Sequence, residues 1–206
     1  MKTIKFHTLG CKVNQYDTQG IREQFASFGF KELDNGKPAD VYVINTCTVT
    51  QRADSQSLSL IRKAKKENPN SKIIVTGCLT EMDNKRIKSE GIVDLSVRNI
   101  DKGRTAELFL EKKGPVEDLK GVSYFKGHTR AFLKVQDGCD NACSYCKVPL
   151  VRGRSKSREP QDIIKEAVRL VKNGFKEIVL TGICLGVFGK DLEKESSLLR
   201  LIEELE

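Results

Sequence analysis

Seven of the 206 residues are cysteine: Cys11, Cys47, Cys78, Cys139, Cys143, Cys146 and Cys184. Cys139, Cys143 and Cys146 lie in QDGCDNACSYCKVPL (136–150) with C-x3-C-x2-C spacing. Thiolates this close on one loop point to a metal site. Zinc is the first competitor, since a C-x2-C with a distal pair of ligands makes zinc ribbons. No second C-x2-C or histidine pair follows, and His7 and His128 lack ligand spacing; they read as a strand residue and a loop residue. An iron–sulfur cluster held by three cysteines leaves one iron without a protein ligand, open to a small molecule.

Cys11, Cys47 and Cys78 each follow a strand-like run: TIKFHTLG (3–10), VYVINT (41–46) and KIIVTG (72–77). One cysteine at a strand end is ordinary apolar packing. Three at the same relative position, two after glycine and one after threonine, suggest a shared site. In a parallel sheet all strand C-termini lie on one edge, where open α/β folds bind ligands. Adjacent strands are about 4.8 Å apart, so thiols at their ends can converge. Three thiolates are one short of a closed tetrahedral zinc site.

The elements that position these residues alternate along the chain. Helical spacing appears in 16–30, in 53–66 with Asp54 as a candidate N-cap, around 81–90 and in 102–113; a fourth strand is expected at 92–97. Strands separated by helices imply an open parallel sheet flanked by helices. KGPVEDLKGVSYFKGH reads as a boundary, giving an N-terminal domain at 1–113, a linker at 114–128 and a second domain at 129–206. The second domain shows a strand at 130–136, a helix at 159–174 with Pro160 in its first turn and Gly174 just past its end, a strand at 176–182 and a helix at 196–206.

An odd cysteine count argues against a disulfide framework. No apolar run approaches the roughly 20 residues of a membrane span, and MKTIKFHTLGCK lacks the apolar core of a signal peptide. The expectation is a cytoplasmic protein with no membrane partner. A net charge of +8 suits a nucleic-acid partner, although lysines such as those of IRKAKKENPNSK (61–72) equally suit a solvated helix face.

The C-x3-C-x2-C run, with Tyr145 before its last cysteine, resembles the radical S-adenosylmethionine superfamily. TLGCKVNQYDTQ, VINTCTVTQRAD, VTGC and VQDGCDNACSYCKVPLVRGRSKSR together resemble the methylthiotransferases over essentially the whole chain. GCKVNQYDT and NTCTVT are most similar to the branch acting on threonylcarbamoyladenosine at position 37 of tRNA. The resemblance implies two four-iron–four-sulfur (4Fe-4S) clusters, one on Cys11, Cys47 and Cys78, the other on Cys139, Cys143 and Cys146. It implies S-adenosylmethionine as a further cofactor, with Tyr145 near its adenine and Thr181 and Gly182 in the glycine motif VLTGICLG that meets its amino group. The chemistry implied is a 5′-deoxyadenosyl radical acting at C2 of the adenine base. The implied partners are the tRNA anticodon loop, an electron donor such as flavodoxin or ferredoxin, and a sulfur donor.

No side chain is assigned as catalytic. Arg152, Arg154, Lys156 and Arg158 would hold tRNA phosphates or the S-adenosylmethionine carboxylate, or else form a solvated loop. Cys184 stands where the family more often has a polar residue and receives no ligand role. The family's radical domain is a (β/α) barrel followed by a small RNA-binding domain, and such barrels need about 200 residues. The expected fold class is therefore α/β, an N-terminal open parallel sheet flanked by helices followed by the first part of a radical-S-adenosylmethionine barrel, in a truncated form. Rival expectations are methylthiolation of isopentenyladenosine or of a ribosomal-protein aspartate, and a non-catalytic metal-binding fragment that docks on RNA.

Overall fold

Short strands apolar on both faces can be buried only beneath helices on both sides, and the computed structural model shows that arrangement. It describes residues 2–34, 36–112, 121–193 and 196–206. Two units divide the chain, Met1–Glu117 and Asp118–Glu206.

The first unit runs β1 (Thr3–Thr8), α1 (Lys12–Ser27), β2 (Lys31–Glu32), β3 (Val41–Thr46), α2 (Gln51–Glu67), β4 (Lys72–Gly77), α3 (Cys78–Met82), α4 (Asn84–Ser89), β5 (Leu95–Val97) and α5 (Thr105–Leu110). Its five strands are all parallel, in the order β2-β1-β3-β4-β5. Side chains alternate between the two faces. Tyr42 and Ile44 of β3 and Ile73 and Val75 of β4 pack with Leu58, Ile61 and Ala64 of α2 and Ile87 of α4. Val41, Val43 and Ile74 point the other way, onto Ile21 and Phe25 of α1 and Ala106 of α5. Phe25 is fully buried, with Phe6, Phe30 and Phe109 around it at ring distances of 6.2, 5.1 and 6.0 Å.

Several boundaries differ from the sequence reading, each for a local reason. α1 starts at Lys12 rather than near 16, because Cys11 already takes the extended N-cap conformation. α2 is capped by Thr50, whose hydroxyl accepts from the Ala53 amide at 3.1 Å, and not by Asp54. The helix expected around 81–90 is two helices. Asp83, with φ of −147°, breaks the run and caps α4 by accepting from the Arg86 amide. The strand expected at 92–97 pairs only over 95–97, while Ile92 and Val93 pack against the apolar cluster instead. The helix expected at 102–113 is a 3-10 turn over Asn99–Arg104 followed by α5, and its last residue lies outside the described ones.

The second unit contains β6 (Ala131–Lys134), β7 (Gln136–Asp137), α6 (Val148–Arg152), β8 (Lys156–Ser157), α7 (Pro160–Lys172), β9 (Ile178–Thr181) and α8 (Leu198–Leu205). β6 and β9 pair in parallel with α7 between them in sequence, a βαβ unit. β7 and β8 form a small antiparallel pair. Pro160 opens α7, and Gly174 follows its cap at φ +94°, a conformation that suits glycine. Residues 113–120 of the expected boundary lie outside the described ones. Residues 121–128 do not behave as a linker: Val122 and Phe125 are buried, and the Val122 amide donates to the fully buried Glu166 carboxylate at 2.7 Å. Apolar side chains spaced among lysines and glycines there hid a packed segment. No helix among the described residues is long and apolar enough to cross a membrane.

Phe25→Ala removes the ring at the centre of the aromatic group and leaves a cavity, so the first unit is expected to lose about 3–5 kcal/mol of stability. Urea unfolding followed by circular dichroism checks this; a midpoint equal to that of the unsubstituted chain would refute the packing account.

Candidate functional site

β1, β3 and β4 are immediate neighbours in the sheet, so the three cysteines that follow them reach the same rim. Thr46 pairs with Gly77, and Cys47 and Cys78 come one step later. Cys11 caps the start of α1. Two glycines make the approach possible. A Cβ on Gly10, at φ +99°, would stand 3.0 Å from both Cβ and Sγ of Cys47. A Cβ on Gly77, at φ +104°, would stand 2.3 Å from the Thr46 carbonyl oxygen. The glycines before Cys11 and Cys78 therefore let backbone pass close to Cys47 or its strand.

Beneath this rim lies a buried polar network. Asn14 Nδ2 donates to the Leu9 carbonyl at 2.7 Å and to the Thr46 carbonyl at 3.0 Å, joining the chain ahead of Cys11 to the peptide ahead of Cys47. Asn45 Nδ2 donates to the Asn14 carbonyl and to Thr18 Oγ1. Thr46 Oγ1 donates to the Thr76 carbonyl at 2.7 Å and accepts from the Leu79 amide at 3.3 Å, bracketing Cys78. One amide and one hydroxyl thus tie all three cysteine-bearing turns together. Asn45 Oδ1 is buried with no hydrogen-bond partner among the described residues, 2.7 Å from where a Gly77 Cβ would stand. Such an atom is costly to leave unpaired. Cys47 and Cys78 are buried and Cys11 is exposed.

In the second unit, Cys139 follows Gly138, whose φ of +72° and tight seat admit only glycine: a Cβ would lie 1.9 Å from the Arg154 carbonyl oxygen. The Cys139 amide donates to the Gly153 carbonyl at 3.1 Å and the Cys146 amide to the Cys143 carbonyl at 3.1 Å. Cys139, Asp140, Pro149, Gly153 and Arg154 line a cavity of about 390 Å³. That is within the size range of small-molecule sites, about 300–1,000 Å³. Tyr145 is 89% exposed on the loop. Thr181 is buried at the end of β9, and Gly182 follows it against Gln136. Cys184 Sγ stands 4.0 Å from Asn141 Nδ2, and the Asn141 amide is 3.5 Å from Cys139 Sγ, so the seventh thiol flanks the cysteine loop.

The basic run divides. Arg152 is nearly buried and donates to both carboxylate oxygens of Asp137 at 2.8 and 2.9 Å. Arg158 pairs with buried Glu166 at 2.6 Å and donates to the Lys134 carbonyl. Both are internal braces, which corrects their assignment to a phosphate or carboxylate ligand, or to a solvated loop. Arg154 and Lys156 are exposed. His7 is half-buried and stacked on Tyr42; burial, then the neighbouring Lys5 charge, pulls its pKa down. His128 sits against the rings of Phe125 and Phe132.

Among the described residues no three His, Cys, Asp or Glu side chains are arranged to hold a metal ion. The fold brings each triad to one rim or loop; the side chains do not form a ready ligand set. What fits an iron–sulfur cluster is the donor chemistry: three thiols at each place, and a cavity beside Cys139. Asn14, Asn45, Thr46 and Gln136 were missed by the sequence reading. The available signal was polar residues at the ends of otherwise apolar runs.

Residues 3–97 match the Uncharacterized protein family UPF0004, and residues 133–201 match the Radical SAM superfamily. Curated relatives match over the whole chain. The threonylcarbamoyladenosine tRNA methylthiotransferase MtaB of Bacillus subtilis is 40% identical, with 100% of this chain and 49% of that protein covered. The protein of the same name from Chlamydia pneumoniae is also 40% identical, covering 99% and 48%. Over its whole length the chain is thus similar to radical S-adenosylmethionine methylthiotransferases of the MtaB type. A tRNA-2-methylthio-N(6)-dimethylallyladenosine synthase from Clostridium perfringens is 33% identical, covering 99% and 50%. The chain spans about half the length of the curated relatives it matches. Among solved structures, the radical S-adenosylmethionine methyltransferase TsrM of Kitasatospora setae has a TM-score of 0.57 at 12% identity, covering 88% of this chain and 47% of that one, a likeness of fold.

Two outcomes follow. Asn14→Ala frees the Leu9 and Thr46 carbonyls, costing about 1–3 kcal/mol, and alkylation of buried Cys47 by iodoacetamide is expected to quicken; an unchanged rate would show that Asn14 does not hold the rim closed. In the second unit, burial raises the Asp191 pKa, but bonds from the Ser157 hydroxyl at 2.6 Å and amide at 2.8 Å outweigh it and hold the carboxyl below 3.8. The ionised form is the one favoured by folding. Its contribution is full above the unfolded value, and it disappears as pH falls through the lower folded value. Asp191→Asn is expected to flatten the acid limb of second-unit stability below 3.8; an identical limb in thermal melts across that range would refute the assignment.

Proposed function

We propose that this chain serves methylthio transfer to C2 of N6-threonylcarbamoyladenosine at position 37 of tRNA. The observation that carries the reading is the sheet order: β1, β3 and β4 are adjacent, so Cys11, Cys47 and Cys78 emerge on one rim. A second set of three thiols lies in a radical S-adenosylmethionine segment. Cys139, Cys143 and Cys146 would hold one 4Fe-4S cluster and Cys11, Cys47 and Cys78 another. When bound, the first supplies reductive cleavage of S-adenosylmethionine to a radical, and the second supplies an iron at which sulfur is carried.

The chain's own residues bind and orient. Gly138 and the bond from the Cys139 amide to Gly153 fix where the second triad leaves the sheet. Tyr145, exposed on that loop, is the surface offered to adenine, and Thr181 and Gly182 the backbone offered to the amino acid end. Arg154, on the cavity wall, supplies a positive charge for an anionic group. At the first rim, Asn14 and Thr46 hold the three thiol-bearing turns at fixed spacing. The tRNA anticodon loop, an electron donor such as flavodoxin or ferredoxin, and a sulfur donor are the partners this chemistry requires. A chain with this activity works in the cytoplasm.

Anaerobic reconstitution with iron and sulfide is expected to give about eight irons per chain, two four-iron clusters, falling to about four in Cys47→Ala. Expression in a strain lacking the modification is expected to restore a 2-methylthio nucleoside, read by mass spectrometry of digested tRNA. Zinc in place of iron, with no cleavage of S-adenosylmethionine under reducing conditions, would overturn the reading in favour of a metal-binding module that docks on RNA. A 2-methylthio group on dimethylallyladenosine instead would keep the chemistry and replace the substrate.

A further inference from the structure

Gln136 is fully buried at the point where β6 ends and the cysteine loop begins. Its side chain is the link between two segments that are far apart in sequence. Oε1 accepts from the amides of Ile183 and Cys184, both at 2.9 Å. Nε2 shares its two hydrogens among the carbonyls of Asp137 and Gly138, both at 2.8 Å, and Ser155 Oγ at 2.9 Å. One end of the amide therefore grips the peptide just after Gly182, and the other grips the peptide just before Cys139. Gly182 independently shows how close this seat is: a Cβ there would lie 3.0 Å from Oε1 and 3.1 Å from Cβ of Gln136.

We propose that Gln136 is a positioning residue that sets the 182–184 peptide against the cysteine loop, and so fixes the spacing between the second thiol triad and the backbone that receives the amino acid end of S-adenosylmethionine. The last clause rests on the proposed function; the coupling of the two segments does not. The chemistry of the amide is what makes the residue specific to this place. A carboxylate would still accept from the Ile183 and Cys184 amides, but its other oxygen would face two carbonyl oxygens and have no hydrogen to offer. A thioether of similar length would make neither set of bonds. Gln136→Glu is therefore a substitution that severs one end of the link and leaves the other.

The unsubstituted chain, Gln136→Glu and Gln136→Met are compared without cluster and under reducing conditions. Hydrogen exchange reads the Ile183 and Cys184 amides, and iodoacetamide alkylation followed by peptide mass spectrometry reads Cys139. Gln136→Glu is expected to keep exchange at 183–184 within about twofold while alkylation of Cys139 rises about tenfold, the scale of a lost buried hydrogen bond. Gln136→Met is expected to raise both about tenfold. Unchanged exchange at 183–184 in folded Gln136→Met overturns the proposal. So does an equal rise of both readouts in Gln136→Glu, or loss of the folded circular dichroism signal in both variants, since either makes Gln136 a general core residue. After reconstitution, equilibrium dialysis with S-adenosylmethionine is expected to show about tenfold weaker binding to Gln136→Met at unchanged iron per chain. Failure of the unsubstituted chain to bind S-adenosylmethionine would refute the functional reading and overturn the cofactor clause, while the exchange and alkylation split would still decide whether Gln136 couples the two segments.

Discussion

The register of β1, β3 and β4 is the constraint on which the first unit depends. Their pairing runs Thr8 with Asn45, then Thr46 with Gly77, so the three chain exits are staggered by only a residue or two. A slip of one position would move a cysteine about 3.3 Å along the rim and turn its side chain to the other face. The apolar body of the strands does little to forbid this, because both faces of β3 and β4 are buried and both are apolar. The polar ends forbid it. Asn14, Asn45 and Thr46 find their partners in one alignment only, and a shifted strand would strand several buried polar groups at once.

The second unit meets the same problem with fewer strands. Two parallel strands, β6 and β9, cannot set the path of a long cysteine loop by sheet pairing alone. A buried amide does it instead, with Gln136 standing to Cys139 much as Asn14 stands to Cys11. Internal ion pairs finish the job: Arg152 closes the loop back onto Asp137, and Arg158 ties the start of α7 to β6 through Glu166 and the Lys134 carbonyl. Removing one partner of such pairs would leave a charge buried alone, so they hold geometry more than they add stability. Both cysteine sets are therefore presented by backbone held from below.

β1, β3 and β4 were legible in the sequence because each is a short strand-like run followed by a glycine or threonine and then a cysteine. The adjacency of β1, β3 and β4 followed from topology, as sequential parallel strands tend to neighbour one another. β2 was not legible, since two residues carry no periodicity. The start of α1 was hidden by a cysteine N-cap that makes no side-chain cap bond. The fate of Arg152 and Arg158 was hidden for another reason: their partners, Asp137 and Glu166, come from other elements, and no local pattern distinguishes a brace from a ligand.

That distinction bears on the charge. A surplus of +8 invites a reading as a phosphate-binding surface. Yet Lys5 pairs with Glu67, Arg22 with Glu32, Arg62 with Glu90, Lys72 with Asp94 and Lys102 with Asp17, besides the two braces of the second unit. Many of the basic side chains that look available in sequence thus serve internal acidic partners. Net charge speaks to long-range attraction, and a contact surface needs exposed groups in a common place. Arg154 is the basic residue of the run that meets that requirement, exposed and on the wall of the cavity beside Cys139. Any case for a nucleic-acid substrate consequently rests on the similarity to tRNA-modifying relatives, with charge as a minor support.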